Sequence, residues 1–362
     1  MGNVEQQKKL RETPRAELRS VPEELAVFDN YIRVLKEKYD TTALCPYAWK
    51  LSPKEFSKPN TNSYAIPAGK AIALAILGIT HGNELAGLAV VNDFLAYLAS
   101  GFIELEVPIA VALSNVEAAR KNVRFLDKDL NRSFSNDDTE TLEGKRAKQL
   151  ELFLKDTYRL LDFHQTSKPG IEPFFIFPYT VDGFDFARCV DPHRCIVTHW
   201  GESFSTEGGC TDEYVNSNGG CGISYELGQN GFDPYQIALG VNSALWALQV
   251  VTADIKGVAC SRRNYLSRVE NRGKIYTWEK IVPFPKDGLP IFDYGWDNFT
   301  LVEKGEVLGT FEGGNSDGLF RSEATGRILF PKYIDKETKF TSRPTELYRI
   351  LKEIKESDLP QV

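Results

Sequence analysis

The stretch AIALAILGITHGNE, residues 71–84, predicts both a fold class and a candidate site. Its first nine residues are apolar or glycine, and a run this short and this uniformly apolar is typical of a buried parallel strand. Polar residues begin where the run ends, with His81 three positions before Glu84. Because ligands bind beyond the carboxyl ends of the strands in open parallel sheets, we take His81 and Glu84 as candidate site residues.

Apolar runs and amphipathic segments alternate on both sides of this stretch. A charged helix is predicted at about residues 20–40, and leucines and valines at helical spacing predict another helix directly after Glu84. The other strand-like runs are VPIAVAL (107–113), RLLDFH (159–164), FFIFPYT (174–180), CIVTHW (195–200) and GISYEL (222–227). This alternation predicts an α/β domain with a largely parallel or mixed sheet flanked by helices.

The pattern changes near residue 255, after a long predicted helix. Short strand-like pieces interrupted by Gly, Pro and Asp-Gly follow, and they predict a smaller all-β domain. The charged segment at the end of the chain has helical spacing. The predicted organisation is a catalytic domain with a helical leader at 1–255, a β-rich lid domain at 256–345 and a C-terminal helix at 346–362.

The composition is that of an ordinary globular protein. The 362 residues are 42% hydrophobic and 26% charged, with a net charge of −7, which argues against nucleic acid or an anionic membrane surface as a partner. We find no apolar run of bilayer length, and the polar N-terminus lacks the apolar core of a secretory signal. We therefore expect a cytoplasmic protein with no membrane span, and a homo-oligomer stays open.

Two more strand ends carry residues that suit a metal site. His164 follows RLLDF, and Glu226 ends GISYE. Two imidazoles and one carboxylate with an open fourth position are the ligand set of hydrolytic zinc enzymes, and a further carboxylate can transfer the proton of an activated water. Each residue alone would be an ordinary polar group at a strand end, but their recurrence at equivalent ends of successive strands favours a site.

The segment NVRFLDKDLNRSF, residues 122–134, lies between the first two of these strand ends. A solvated polar loop is one interpretation. The other is that Arg124, Asn131 and Arg132 form a receptor for a substrate carboxylate or oxyanion, a role that suits guanidinium geometry.

Nucleophilic serine or cysteine chemistry has little support. The sequence contains no G-x-S-x-G turn and no phosphate-binding glycine loop. Four of the six cysteines lie near two histidines, but their spacing is poor for a second, structural zinc site. We expect Cys189, Cys195, Cys210 and Cys221 to be buried or loop thiols. His193 and His199 lie close to them in the sequence.

Four motifs in a fixed order, spread over residues 78–228, resemble those of the succinylglutamate desuccinylase and aspartoacylase family, relatives of the zinc carboxypeptidases. They are G-x-x-H-G-N-E, R-F-x-x-x-D-L-N-R-x-F, D-x-H-x-T and E-L-G. The resemblance implies a zinc-carboxypeptidase-like catalytic domain and a C-terminal β-domain that partly covers the site. It also implies one zinc ion per chain, bound by His81, Glu84 and His164.

The same resemblance implies roles for further residues. Glu226 would be the general base and then the acid, and Arg124 would polarise the scissile carbonyl and hold the oxyanion. Asn131 and Arg132 would bind a carboxylate of the substrate. In the β-domain, Tyr333 is a candidate substrate contact.

The main hypothesis is a zinc-dependent amidohydrolase that cleaves an N-acyl amino acid or a related small acylated amine. The alternatives are a metallocarboxypeptidase or peptide amidase acting on short peptides, and a catalytically silent metal-binding protein on the same scaffold. Aspartoacylases carry an arginine upstream of the catalytic glutamate, whereas GGCTDEYVNSNGGCGISYE, residues 208–226, contains no Arg or Lys. A neutral or cationic amine is therefore expected in place of an aspartate-like one.

Overall fold

The computed structural model describes residues 19–54, 56, 66–170, 172–205, 208–313, 318–334 and 344–361. Its α-helices are α1 (Val21–Lys38), α2 (Ala86–Ser100), α3 (Val116–Arg120), α4 (Leu142–Leu154), α5 (Val181–Val190), α6 (Thr211–Ser217), α7 (Pro234–Lys256) and α8 (Ser261–Leu266). Short 3-10 helices cover Leu130–Arg132 and Glu356–Asp358.

The strands are β1 (Asp40–Cys45), β2 (Ala48–Ser52), β3 (Ile72–Gly78), β4 (Ile109–Leu113), β5 (Thr157–Thr166), β6 (Phe174–Pro178), β7 (Cys195–His199), β8 (Cys221–Gln229), β9 (Ile275–Pro283), β10 (Leu289–Phe292), β11 (Leu301–Val302), β12 (Val307–Glu312), β13 (Leu319–Arg321), β14 (Gly326–Leu329) and β15 (Glu346–Ile354). Twelve of them form one sheet in the order β1-β2-β4-β3-β5-β8-β6-β7-β9-β15-β14-β11, and β10, β12 and β13 form a second.

The centre of the large sheet is parallel. Strands β4, β3, β5 and β8 run in the same direction, whereas β2 pairs antiparallel with β4 and β6 pairs antiparallel with β8. Every residue of β3 is buried, as its uniformly apolar sequence predicts for a strand covered on both faces. The α/β fold class with a mixed sheet flanked by helices is therefore confirmed.

Helix α7 belongs to the main core. By length and composition it is able to cross a membrane, but 61% of its most apolar window is buried inside the protein. It packs against α2 and α5 and against the central strands. The same apolar composition is what a core helix needs, because its neighbours cover most of its circumference.

The predicted C-terminal helix at 346–362 is wrong. Residues Glu346–Ile354 form strand β15, which pairs with β9 on one side and β14 on the other. Leu347, Ile350, Leu351 and Ile354 have helical spacing, so the sequence alone was ambiguous. Pairing on both sides buries five consecutive residues of the strand, and this tertiary contact overrides the local pattern.

The segment 256–345 is rich in strands, as expected, but it does not form a sheet of its own. Strand β9 pairs in parallel with β7 and so continues the large sheet, while only β10, β12 and β13 make a separate one. The boundary at residues 255 and 256 stays a prediction, because strands on both sides of it share a sheet.

Candidate active site

The turn after β3 brings the first two candidate residues together. Ile79 has a φ of +53°, an uncommon conformation for a β-branched residue, and it redirects the chain directly after the strand. Gly82 allows this turn to lie close to α3. A Cβ at Gly82 would lie 2.4 Å from the backbone of Ala118 in α3, so only glycine permits this close approach.

His81, Glu84 and His164 converge on one point. The Nδ1 atom of His81 lies 2.8 Å from Glu84 Oε1, and the Nδ1 atom of His164 lies 2.9 Å from Glu84 Oε2. All three side chains are buried, and one donor atom from each lies within 4.8 Å of the others. Within the described part of the chain, this is the one group of three or more His, Cys, Asp or Glu residues with a geometry that could hold a metal ion.

A carboxylate stands behind each imidazole. His81 Nε2 lies 3.0 Å from Asp129 Oδ1, and His164 Nε2 lies 3.0 Å from Asp162 Oδ2. Each Nδ1 atom faces the Glu84 carboxylate and would be the metal ligand, while the Nε2–H of His164 can donate to Asp162. His81 Nε2 also lies 2.7 Å from Arg124 Nη2, which can only donate. Such carboxylate–histidine pairs fix the tautomer and the orientation of metal-binding imidazoles.

The charges around the two imidazoles suit a cation. Burial lowers the pKa of His164, but the Asp162 and Glu84 carboxylates together outweigh it and hold that pKa well above its ordinary value. Burial also opposes ionisation of Asp129, whereas Arg124 and His81 keep the pKa of this carboxyl well below its usual range. Negative charge is therefore concentrated where a divalent cation would neutralise it.

Glu226 faces this group from the neighbouring strand. It lies opposite His164 in the register of β5 and β8, it is buried, and its Oε2 atom has no hydrogen-bond partner among the described residues. Burial, followed by the charge of Glu84, raises the pKa of Glu226 to about 7. A carboxylate with this pKa can take up and return a proton near neutral pH.

The loop at 122–134 is folded by a buried acid of α4. The Glu143 carboxylate accepts hydrogen bonds of 2.7, 3.0 and 3.2 Å from three consecutive backbone N–H groups, those of Leu126, Asp127 and Lys128. The loop therefore has a defined conformation and is not simply solvated polar chain. Gly82 N–H donates to Arg124 O at 3.0 Å and ties this loop to the turn after β3.

Arg124, Asn131 and Arg132 all line the cavity that contains the metal-binding group. The Arg124 guanidinium donates to Glu84 Oε1 at 3.3 Å and to Asp129 Oδ2 at 3.0 Å. The Asn131 amide oxygen accepts from the Thr211 N–H at 3.0 Å, which leaves the amide nitrogen for a ligand. These positions agree with the predicted receptor, although the roles themselves stay predictions.

The cavity has a second side, which we call the opposite wall: His199, Phe204, Phe330, Lys332 and Glu346. Lys332 is half-buried, and burial followed by nearby guanidinium groups lowers its pKa to about 8. None of these five residues was among the candidates from the sequence.

Arg349 supports this wall from behind. Its guanidinium, with a side chain only 2% exposed, binds Glu346 Oε2 at 2.7 Å and donates to the Phe204 carbonyl oxygen at 2.8 Å. It also lies 3.9 Å from the centre of the Phe204 ring and 4.5 Å from that of Trp278. Cation–π contact and an ion pair therefore fix both the aromatic and the acidic parts of the wall.

Residues 70–239 match the sequence profile of the succinylglutamate desuccinylase/aspartoacylase catalytic domain, and this segment contains the metal-binding group, Glu226 and the loop at 122–134. Residues 70–239 belong to the succinylglutamate desuccinylase/aspartoacylase family. The resemblance stated from the motifs is thus confirmed.

Individual family members extend this result. A succinylglutamate desuccinylase from Chromobacterium violaceum is 26% identical over 294 residues, which cover 69% of this chain and 77% of that protein. An N-acyl-aromatic-L-amino acid amidohydrolase (carboxylate-forming) from Xenopus tropicalis is 28% identical over 152 residues, 36% of this chain and 47% of its own length. Both relatives are deacylating hydrolases that act on amide bonds.

A solved structure shows the same fold. The succinylglutamate desuccinylase from Vibrio parahaemolyticus aligns with a TM-score of 0.62 and 18% sequence identity, over 85% of this chain and 86% of its own. The fold described above, including the strands after the family domain, is therefore that of family members.

Tyr333 is the candidate that the structure does not bring to the cavity. Its hydroxyl accepts from Trp296 N–H at 2.7 Å and donates to the Trp296 carbonyl oxygen at 3.0 Å. Its ring stacks on Phe292 and lies 4.0 Å from Lys168 Nζ. The neighbouring Lys332 lines the cavity instead, and its backbone N–H donates to the Leu347 carbonyl oxygen of β15 at 2.9 Å.

The cysteines behave as expected from their spacing. All six are free, and five are buried. Of the two histidines near them, His193 contacts the Asn271 carbonyl oxygen, whereas His199 belongs to the opposite wall. The described residues include no second metal-binding group in this region.

Proposed function

We propose that this chain is a zinc-dependent amidohydrolase that cleaves the amide bond of an N-acyl amino acid or a related small acylated amine. The observation that carries the proposal is the buried group of His81, Glu84 and His164 facing Glu226, inside a segment that belongs to a family of deacylating hydrolases.

The donor set fits zinc. It offers two imidazole nitrogens and one carboxylate, which leaves a position open, and a carboxylate orients each imidazole from behind. When bound, a zinc ion would lower the pKa of water towards neutrality and polarise a substrate carbonyl.

The residues of the chain would then divide the proton and charge transfers among them. Glu226, with its pKa near 7 and its free Oε2, takes the proton of the attacking water and returns it to the leaving nitrogen. Arg124 supplies positive charge for the oxyanion, as its place beside the metal-binding group allows. Asn131 and Arg132 bind the substrate carboxylate.

The environments of Cys210 and Ser224, which line the cavity, favour water as the nucleophile. Cys210 lines the cavity, but burial raises the pKa of its thiol well above the ordinary value, so it is protonated and unreactive. Ser224 donates its hydroxyl hydrogen to Asp212 Oδ2 at 3.1 Å and has no imidazole as a base. We therefore propose that the enzyme is neither a cysteine nor a serine hydrolase.

The proposal includes the setting of the reaction. We propose that the enzyme acts in the cytoplasm on a small acylated amino acid and binds neither nucleic acid nor a membrane. A homo-oligomer is compatible with this proposal. The net charge of −7 supports the exclusion of anionic polymers and surfaces.

The test is turnover of a mixed panel by protein with measured zinc content, read by mass spectrometry. The panel contains N-acetyl, N-succinyl and longer N-acyl amino acids and short unblocked peptides, with Glu226→Gln as the matched inactive control. We expect release of a carboxylic acid from the acyl compounds and a loss of that release in the variant.

Other results would overturn the proposal. Cleavage of peptides alone would indicate a metallocarboxypeptidase. Absence of turnover on both classes, with zinc verified, would indicate a catalytically silent protein on this scaffold. Turnover that does not require metal would remove zinc from the mechanism.

A further inference from the structure

One part of the cavity is not needed for bond cleavage, and we call it the aromatic pocket. It consists of Ile176, Pro178, His199 and Phe204, contributed by the ends of β6 and β7 and the loop that follows. None of these four side chains carries a formal charge when His199 is neutral. The pocket is therefore suited to an uncharged group.

Aromatic contacts hold His199 in a single orientation. Its ring stacks on Trp278 with a centroid distance of 5.6 Å and an interplanar angle of 23°. The centre of the Phe204 ring lies 6.0 Å from the centre of the His199 ring. The residue is only 2% exposed. Such a ring offers its free nitrogen at a fixed position, without the entropy cost of ordering a mobile side chain.

The hydrogen bond on one nitrogen of His199 defines the other. Nδ1 lies 3.0 Å from the carbonyl oxygen of Glu202, which can only accept, so Nδ1 carries the hydrogen. Burial, with a contribution from Arg349, lowers the pKa of His199, which favours the neutral ring. Nε2 is then a lone-pair acceptor, and it has no partner among the described residues.

The pocket adjoins the carboxylate receptor. The Arg132 guanidinium lies 4.8 Å from the centre of the Phe204 ring and donates to Cys210 Sγ at 3.2 Å. If Arg132 binds the carboxylate of an acylated amino acid, the side chain on the same α-carbon is the group nearest to the aromatic pocket. The acyl group lies on the other side of the scissile bond.

We propose that His199 is a specificity-determining residue that accepts a hydrogen bond from an uncharged, donor-bearing side chain of the amino-acid part of the substrate. The inference rests on the proposed function and adds the class of amine to it. It accounts for the absence of Arg and Lys from residues 208–226, because a neutral side chain needs no counter-ion there. An unfilled buried acceptor also disfavours side chains that lack a donor.

The experiment compares matched N-acetyl amino acids that differ in one donor. The pairs are tyrosine with phenylalanine and glutamine with methionine, and N-acetyl aspartate and N-acetyl lysine represent charged side chains. For at least one pair, we expect kcat/KM to favour the donor-bearing member by about 10- to 100-fold. The charged compounds should be poorer substrates than the donor-bearing one.

Three variants assign the preference to His199. His199→Phe should bring the ratio within the preferred pair close to one, and His199→Gln, which keeps an acceptor, should restore part of it. His193→Phe replaces an exposed histidine outside the cavity and should keep the wild-type ratio. Circular dichroism and zinc content verify that each variant is folded and loaded.

The outcomes separate this inference from the proposed function. If no acylated amino acid is hydrolysed, the proposed function fails. If acylated amino acids are hydrolysed without preference for a donor, with preference for a charged side chain, or with a ratio that survives in His199→Phe, the assignment of His199 alone is overturned.

Discussion

The two sides of the cavity differ in how they are built. The catalytic wall, formed by His81, Glu84, His164 and Glu226, comes from the ends of three adjacent parallel strands. The opposite wall takes its residues from widely separated positions between 199 and 346. A metal and a proton-transfer group require particular residue types in a particular geometry, whereas a selective surface requires only shape and a few polar atoms. The chemistry therefore leaves a pattern in the sequence, and the selectivity does not.

The largest expected effect lies on the catalytic wall. Glu226→Gln removes the proton acceptor but keeps the size of the side chain, so kcat should fall by about 10²- to 10⁴-fold. Zinc content, measured by atomic emission, should not change, because Glu226 is outside the metal-binding group. Activity within a factor of about three of wild type would mean that another group moves the proton.

The ion pair between Glu346 and Arg349 in the opposite wall should affect stability more than chemistry. Glu346→Ala leaves the guanidinium of Arg349 buried without its carboxylate, and the free energy of unfolding should drop by about 3 kcal/mol. Glu353→Ala is the matched control on the same strand, since its pair with Lys274 is exposed and should be worth less than about 1 kcal/mol. Denaturant unfolding measures both, and equal losses would contradict the difference between them.

A third change tests the residues behind the imidazoles. Asp162→Asn weakens the support of His164 and should reduce zinc affinity by about 10- to 100-fold. Titration with a competing chelator gives the affinity. Since Asp162 also accepts hydrogen bonds from Thr80 and Thr211, Thr211→Val serves as the control that removes one bond to Asp162 without changing its charge.

The smallest effect is a dependence on pH. Burial and Glu84 raise the pKa of Glu226 to about 7, so the carboxylate that accepts the proton is lost as the pH falls below that value. A bound cation favours the carboxylate, which places the midpoint of kcat/KM at or below about 7, with a tenfold loss per pH unit on the acid side. A profile that stays flat down to about pH 5 would exclude Glu226 as the titrating base.

The success of sequence-based prediction follows the same division between walls. The buried strand β3, the helix after it and the metal-binding group were predictable, because period, length and ligand type are local properties. Asp129, which supports His81, was missed, although it lies inside the loop at 122–134 that was singled out. His199 was noted only beside the cysteines, and nothing local distinguished it from an ordinary core histidine.

The error at the end of the chain has a physical origin. Strand β15 was predicted as a helix, and its pairing with β9 and β14 decides its conformation. A pattern with period 3.6 does not report which strands will lie on either side of a segment. The register of the last strands could therefore not be deduced from the local sequence.

The large sheet continues without interruption from β8 through β6, β7 and β9 to β15, and thus from Glu226 to Glu346. Adjacent strands lie about 4.8 Å apart, so backbone hydrogen bonding across these strands sets the distance between the catalytic wall and the opposite wall. Evolution or engineering of new substrate preferences in this chain would then proceed by exchange of side chains on β7 and β15, without any change in domain arrangement. A library of variants confined to these two strands should alter which substrates are accepted. The rate of bond cleavage would still be set by the catalytic wall.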